Sequence, residues 1–279
     1  MRTANIFKMS VLVLFTFALI KPIFDANKHR PLPLPEKVQP KIKPKLVEHI
    51  EKPLHNVKLP EFAEIRDVKQ KKRQFFNFLR PTIIAENKRI SELRKQILLV
   101  LEKLKAKQPI TTQESELITK LIKKYKVAKR LSPLNKVQEL TNRIDVVPNE
   151  LVLVQAANES AWGTSRFARI GLNFFGIWCY KKGCGMVPKG RDKGLKHEVA
   201  AFKSVEQAVS HYLLNINTNG AYVVFRTIRA QLHQQEQPLS AQILVTGLLP
   251  YSQRGTDYVL EISEMIRHNQ VYFDEAQSD

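Results

Sequence analysis

Cysteine occurs only twice in this chain of 279 residues, as Cys179 and Cys184. With His197 as a third donor and no fourth ligand in sequence reach, a tetrahedral zinc site cannot be closed, and the sequence calls for no metal and no organic cofactor. Acidic residues are also short, but only locally. Through Val146 there are 32 Lys and Arg against 14 Asp and Glu, whereas the remainder has 13 against 12. The net charge of +19 therefore belongs to the first half, which suits an anionic neighbour. Nucleic acid is only a weak runner-up as that neighbour, because no recognition motif and no interleaving of aromatic with basic residues is present and export, implied by the N-terminus, removes it. Long apolar runs are lacking as well. The stretch Val11 to Ile20 suits the h-region of a signal but falls short of the roughly 20 residues a helical membrane span needs.

What is present begins with an address. Arg2 and Lys8 precede the apolar run, no A-x-A cleavage site follows, and Lys21-Pro22 closes it abruptly. Residues 1–20 thus read as a signal peptide or as an uncleaved membrane anchor, and either implies export. In an exported chain two cysteines separated by four intervening residues, Gly183 among them, favour a disulfide. Residues 21–60 are rich in Pro and Lys, as in RPLPLPEKVQPKIKPK, which predicts an extended spacer whose lysines suit anionic lipid head groups.

Residues 61–145 carry helical stripes. Phe62, Ile65, Val68, Phe75, Phe76 and Leu79 form one that ends at Pro81. Ile83, Ile84, Ile90, Leu93, Ile97, Val100, Leu101 and Leu104 form a second, and a third helix begins at Thr112 with Ser115. From Val147 the spacing predicts another helix, with Pro148 in its first turn and Leu151, Val154, Gln155, Asn158, Glu159 and Trp162 along one face. Gly163 supplies a left-handed stop. Glu159 is then on the largely buried stripe, about one turn from the negative end of the helix dipole, and both circumstances raise a carboxyl pKa, as a general acid requires. Pairing of Glu159 with Arg166 or Arg169 is the other reading of the same spacing.

The segment AANESAWGTSRFA, followed by GLNFFGIW, resembles the core motif of the bacterial glucosaminidases that cleave peptidoglycan, the flagellar and autolysin β-N-acetylglucosaminidases. The resemblance covers Val147 to about Asn269. It implies a mostly α, lysozyme-like α+β catalytic domain with a small β-lobe, at residues 146–270, preceded by the α-helical basic region and followed by a tail at 271–279. It implies that Glu159 is the catalytic acid. Glu198 matches a second acidic residue of the family's β-lobe, with Asp192 as the alternative alignment in a short hairpin between Met186 and Ser204. Tyr258 matches a functional tyrosine of the last helix. Trp162, Asn173 and Phe175 are the remaining candidate substrate contacts, Trp178 offering a further aromatic face. The implied partner is the glycan strand of peptidoglycan, in the periplasm, with the protein as a monomer and the basic half near an anionic membrane surface. A lytic transglycosylase or muramidase is the enzymatic rival, although its Gly-Leu-Met-Gln signature is replaced here by Gly171-Leu172-Asn173-Phe174-Phe175-Gly176. A glycan-binding protein without turnover is the alternative from another class.

Overall fold

Phe75, Phe76, Leu79, Ile83, Ile90, Ile97, Val100 and Leu101 are all buried along one side of a single helix, α1 (Val68–Lys105), in the computed structural model, which describes residues 52–192 and 194–274. The expected break at Pro81 does not occur. Pro81 is on the exposed side, and the buried stripe keeps its phase across it. A proline inside a helix costs about 3 kcal/mol, while each buried large apolar side chain contributes about 1.5–3 kcal/mol, so the stripe outweighs the defect. The signal or anchor at 1–20 and most of the spacer at 21–60 lie outside the described residues. Among those described, no helix is long and apolar enough to cross a membrane.

The end of the stretch read as spacer, residues 52–60, is not a free tether but lies along the fold. Leu54 N donates to Ile170 O at 2.8 Å, His55 Nε2 is 2.9 Å from Arg169 O, and Lys203 Nζ donates to Leu54 O at 3.1 Å. Beyond α1 come α2 (Thr112–Lys124) and α3 (Pro133–Arg143). The first of these is opened by a capping box between Thr111 and Glu114, one residue before the Thr112 and Ser115 expected from sequence. The central helix, α4 (Asn149–Ser160), starts just after Pro148 and is followed by α5 (Arg166–Gly171). Then come α6 (Val205–Thr218), α7 (Val223–Gln234), α8 (Ala241–Leu244), α9 (Thr256–His268) and α10 (Gln270–Asp274). α1 packs against α3, α4 and α6, so the helices before and after Val146 share one hydrophobic core in one compact unit.

The mostly α, α+β class expected from sequence is what the chain adopts, with one small sheet. Strands β1 (Trp178–Cys179), β2 (Gly185–Met186) and β3 (Glu198–Ala200) run antiparallel in the order β1-β3-β2. The small hairpin expected between Met186 and Ser204 forms, with Met186 of β2 opposite Val199 of β3, and the earlier β1 adds to its other side, with Trp178 opposite Val199 and Cys179 opposite Glu198.

α4 ends in an unusual turn. Ala161, Trp162 and Gly163 all have positive φ, at 49°, 58° and 78°. Two of the three are not glycine, and a left-handed L-residue costs roughly 1–2 kcal/mol. The turn is held by Ser160, whose hydroxyl donates to Ala156 O at 2.6 Å and accepts from Gly163 N at 2.8 Å. Trp162 packs edge-on to Phe75 and Phe76 of α1, with ring centroids 5.8 and 5.2 Å away. At Gly163 a Cβ would lie 2.5 Å from the Phe62 ring and 3.2 Å from Phe75. Gly163→Ala should therefore lose about 2–4 kcal/mol of stability, from left-handed strain plus ring displacement, read from urea unfolding. An unchanged midpoint would show that Phe62 swings aside at no cost.

Candidate active site

Glu159 leaves the last turn of α4 half-buried. One turn earlier on the same face is Gln155, fully buried. Its amide sets the direction of a chain of hydrogen bonds. The Tyr212 hydroxyl donates to Gln155 Oε1, and Gln155 Nε2 donates to the Tyr258 hydroxyl at 2.9 Å. Tyr258 thus accepts a hydrogen bond from Gln155 and keeps its own hydroxyl proton to direct at Glu159, whose pKa it lowers. The Tyr251 ring stacks on Tyr258 at 5.4 Å and 6°, while its hydroxyl donates to Phe175 O at 2.8 Å. From the other side comes Gly176, where a Cβ would be 3.1 Å from Glu159 Oε2. Its φ of +64° and that close approach both favour glycine here.

Burial raises the pKa of Glu159 above the ordinary carboxylate value. The Tyr258 hydrogen bond and Arg254 pull it down, Glu261 pushes it up again, and the net displacement is upward. The ion pair considered from sequence does not form: Arg169 Nε donates to Thr164 O, and Arg166 Nη1 reaches Val187 O. The charges that bear on Glu159 are instead Arg254, joined to Glu261, and Glu261 itself.

The other candidates divide. Asn173 and Phe175 are each about 1% exposed and have no surface to offer a ligand, so their expected contact role gives way to one inside the scaffold. The Asn173 amide donates to Ile177 O and Ala200 O, both at 2.8 Å, and accepts from Ile177 N at 3.0 Å, which folds the loop that presents Gly176. Phe175 stacks on Tyr212 at 4.2 Å. Trp162 is held against α1, with Lys72 Nζ 5.3 Å from its ring centroid. Gln155 enters the sequence reading only as part of a helical stripe, and nothing in the sequence marks Tyr212 or Tyr251 for the site. A polar Gln on a buried stripe one turn before an acid was the one available signal.

Glu198 has an occupation different from the second catalytic carboxylate expected of it. It is 5% exposed, Oε1 accepts from Gly183 N at 3.0 Å and Oε2 from Gly185 N at 2.9 Å. The backbone donors Gly183 and then Gly185 hold its pKa below the ordinary value. It clasps the loop that the Cys179–Cys184 disulfide closes, whose Cα atoms are 6.3 Å apart. The two sulfurs lie near Glu198 but are bonded to each other, so this trio is no metal site. The alternative, Asp192, is exposed. Glu198→Gln places an amide NH₂ against a backbone N–H, and should loosen the lobe while keeping turnover at saturating substrate within about tenfold of wild type. Since the folded pKa is depressed, this clasp stabilises above about pH 4.3 and is lost as pH falls below it. A thousandfold loss of turnover in a variant of unchanged thermal midpoint would instead make Glu198 a reacting group.

Residues 134–271 match the glucosaminidase family, described as mannosyl-glycoprotein endo-β-N-acetylglucosaminidase. "Protein bax" of Escherichia coli (strain K12) is 32% identical over 216 residues, covering 76% of this chain and 74% of that protein. The chain belongs to the glucosaminidase family. The similarity to that relative is longer than everything from Leu134 to Asp279, so it takes in part of the basic helical region as well as the glucosaminidase segment. No solved structure matches the chain. Glu159, Gly176, Tyr251 and Tyr258 all fall within the segment matched to the family.

Proposed function

We propose that this glucosaminidase is an exported peptidoglycan hydrolase, an endo-β-N-acetylglucosaminidase that cuts the β-1,4 bond after N-acetylglucosamine. The observation that carries the reading is a half-buried carboxyl of raised pKa, oriented by Tyr258 and approached by the backbone of Gly176. In this reading Glu159 gives its proton to the glycosidic oxygen as the bond to C1 breaks. Glu198 has both carboxylate oxygens engaged by Gly183 and Gly185, which favours the substrate's own acetamido oxygen as the group that attacks C1. Water then opens the resulting ring and returns a proton to Glu159. The anomeric configuration would be retained.

Purified peptidoglycan treated with the protein should release fragments ending in reducing N-acetylglucosamine, with Glu159→Gln releasing none. Anhydromuramic or reducing muramic ends would move the assignment to a lytic transglycosylase or muramidase. Binding without release by wild type would leave a glycan-binding protein. Inversion at C1, followed by NMR, would require a second activating group in place of the acetamido route.

A further inference from the structure

The cations of the C-terminal half are not spread evenly. Of the 13 Lys and Arg after Val146, about half fall between Tyr180 and His197, where Asp192 is the sole acid. Lys181, Lys182, Lys189 and Lys196 are exposed, all on the connections of the β-lobe. The loop bearing the first two is held by the disulfide and by the Glu198 clasp, so its shape is set before anything binds. Next to these cations is an apolar platform. Trp178 is 52% exposed and lies flat on the His197 ring, with centroids 4.3 Å apart and planes 8° from parallel, so one indole face is covered and the other is available. Trp178 follows Gly176 by two residues, and Gly176 adjoins the Glu159 carboxylate. Two residues of chain reach at most about 7 Å, roughly the span of one sugar.

We propose that the β-lobe is an accessory subsite. Trp178 takes a sugar face beside Glu159, and Lys181, Lys182, Lys189 and Lys196 take the free carboxylates of the peptide stem on the adjoining sugar. Charge complementarity and continuity with the Glu159 loop select this occupant. The consequence is preference for stem-bearing strands over bare glycan. The inference rests on the substrate being peptidoglycan, as proposed above, and its test is chosen to be independent of turnover.

The Glu159→Gln form of the full chain is titrated with soluble stem-bearing strands and with strands stripped of stems by an amidase. Stem-bearing strands should bind about tenfold tighter, as several exposed charge contacts together allow. That ratio should fall toward one in about 0.5 M salt, and likewise when the four lysines are changed together to Gln. Trp178→Ala should weaken both strands by about tenfold, with an unchanged thermal midpoint because the indole is half exposed. Equal binding of the two strands overturns the proposal, as does a ratio that survives the lysine changes. Loss of binding to anionic vesicles, with the strand ratio intact, assigns the lysines to a lipid surface and overturns it too. If wild type cuts neither strand yet the ratio holds, the hydrolase reading fails while the subsite stands.

Discussion

Glu159→Gln lowers the rate of glycan cleavage at neutral pH by about 10²–10⁴, the range that loss of a positioned proton donor produces, and at the same time makes the folded protein more stable. The second half of this result is the diagnostic one. Burial raises the carboxyl's pKa in the folded state, whereas in the unfolded chain it ionises near pH 4.3. As pH rises above that value the unfolded state releases its proton first, and folding stability falls until the folded carboxyl also ionises. Gln bears no such cost and can still accept the Tyr258 hydrogen bond through its carbonyl oxygen. Thermal midpoints of the two proteins should coincide near pH 3.5 and separate in favour of the variant as pH rises to 7. Activity follows the same titration. Wild-type kcat/KM should fall on the alkaline side of the raised pKa, and Tyr258→Phe should move that limb to higher pH, since the tyrosine hydrogen bond pulls the pKa down. A Glu159→Gln protein less stable than wild type at pH 7 would mean that the ionised carboxylate is a structural partner, and the general-acid reading would lose its physical basis.

Much of this site was legible because it is local. The spacing from Leu151 to Trp162, with a glycine just beyond, predicts a helix ending near Glu159, and α4 does end there, although it starts one residue after Pro148 and turns left-handed already at Ala161, which leaves Trp162 outside the helix. The disulfide is legible for the same reason, since Cys179 and Cys184 are close in sequence and without competitors. What could not be read depends on distant residues. Tyr258 meets Gln155 across 103 positions, and nothing in either segment announces the other. Asn173 and Phe175 stand in a motif that invites a ligand-binding reading, yet the chain turns them inward, because an Asn amide satisfies the buried carbonyls of Ile177 and Ala200. Pro81 misled in the opposite direction. Its local cost is real, but the stripe on both sides binds to a core that sequence alone does not display.

Removing the carboxylate of Asp145 should destabilise the whole molecule by about 3–5 kcal/mol, the penalty of leaving buried charge without its partner. Asp145 is 3% exposed, in the connection between α3 and α4. Its Oδ2 is 2.7 Å from His233 Nε2, 3.3 Å from Arg229 Nε and 3.4 Å from Arg94 Nη1. Arg229 is itself wholly buried, and its guanidinium also donates to Asn142 O, Val146 O and Asn217 Oδ1. Arg94 comes from α1 and Arg229 and His233 from α7, so the carboxylate ties two helices to the entry of α4, while Asn217 of α6 joins through Arg229 and the Asp145 backbone carbonyl. Burial works against both charges. It draws Arg229 down to about 10, still protonated at neutral pH, while the bonds from His233, Arg229 and Arg94 overcome burial and hold Asp145 below its ordinary value. Because the folded pKa is depressed, this stabilisation is complete above about pH 3.9 and disappears as pH falls below it. Asp145→Asn should therefore differ most from wild type at pH 7 and least in acid, with the unfolding midpoint in urea as the measure. Replacing Asp145 by Leu and Arg229 by Met together should cost less than the sum of the two single changes, since neither buried charge is then stranded. Strict additivity would mean that the contacts act independently. Activity supplies the link to the site: because α4 leads from Val147 to Glu159, Asp145→Asn should lose cleavage on warming before its global transition, whereas wild type should lose both together.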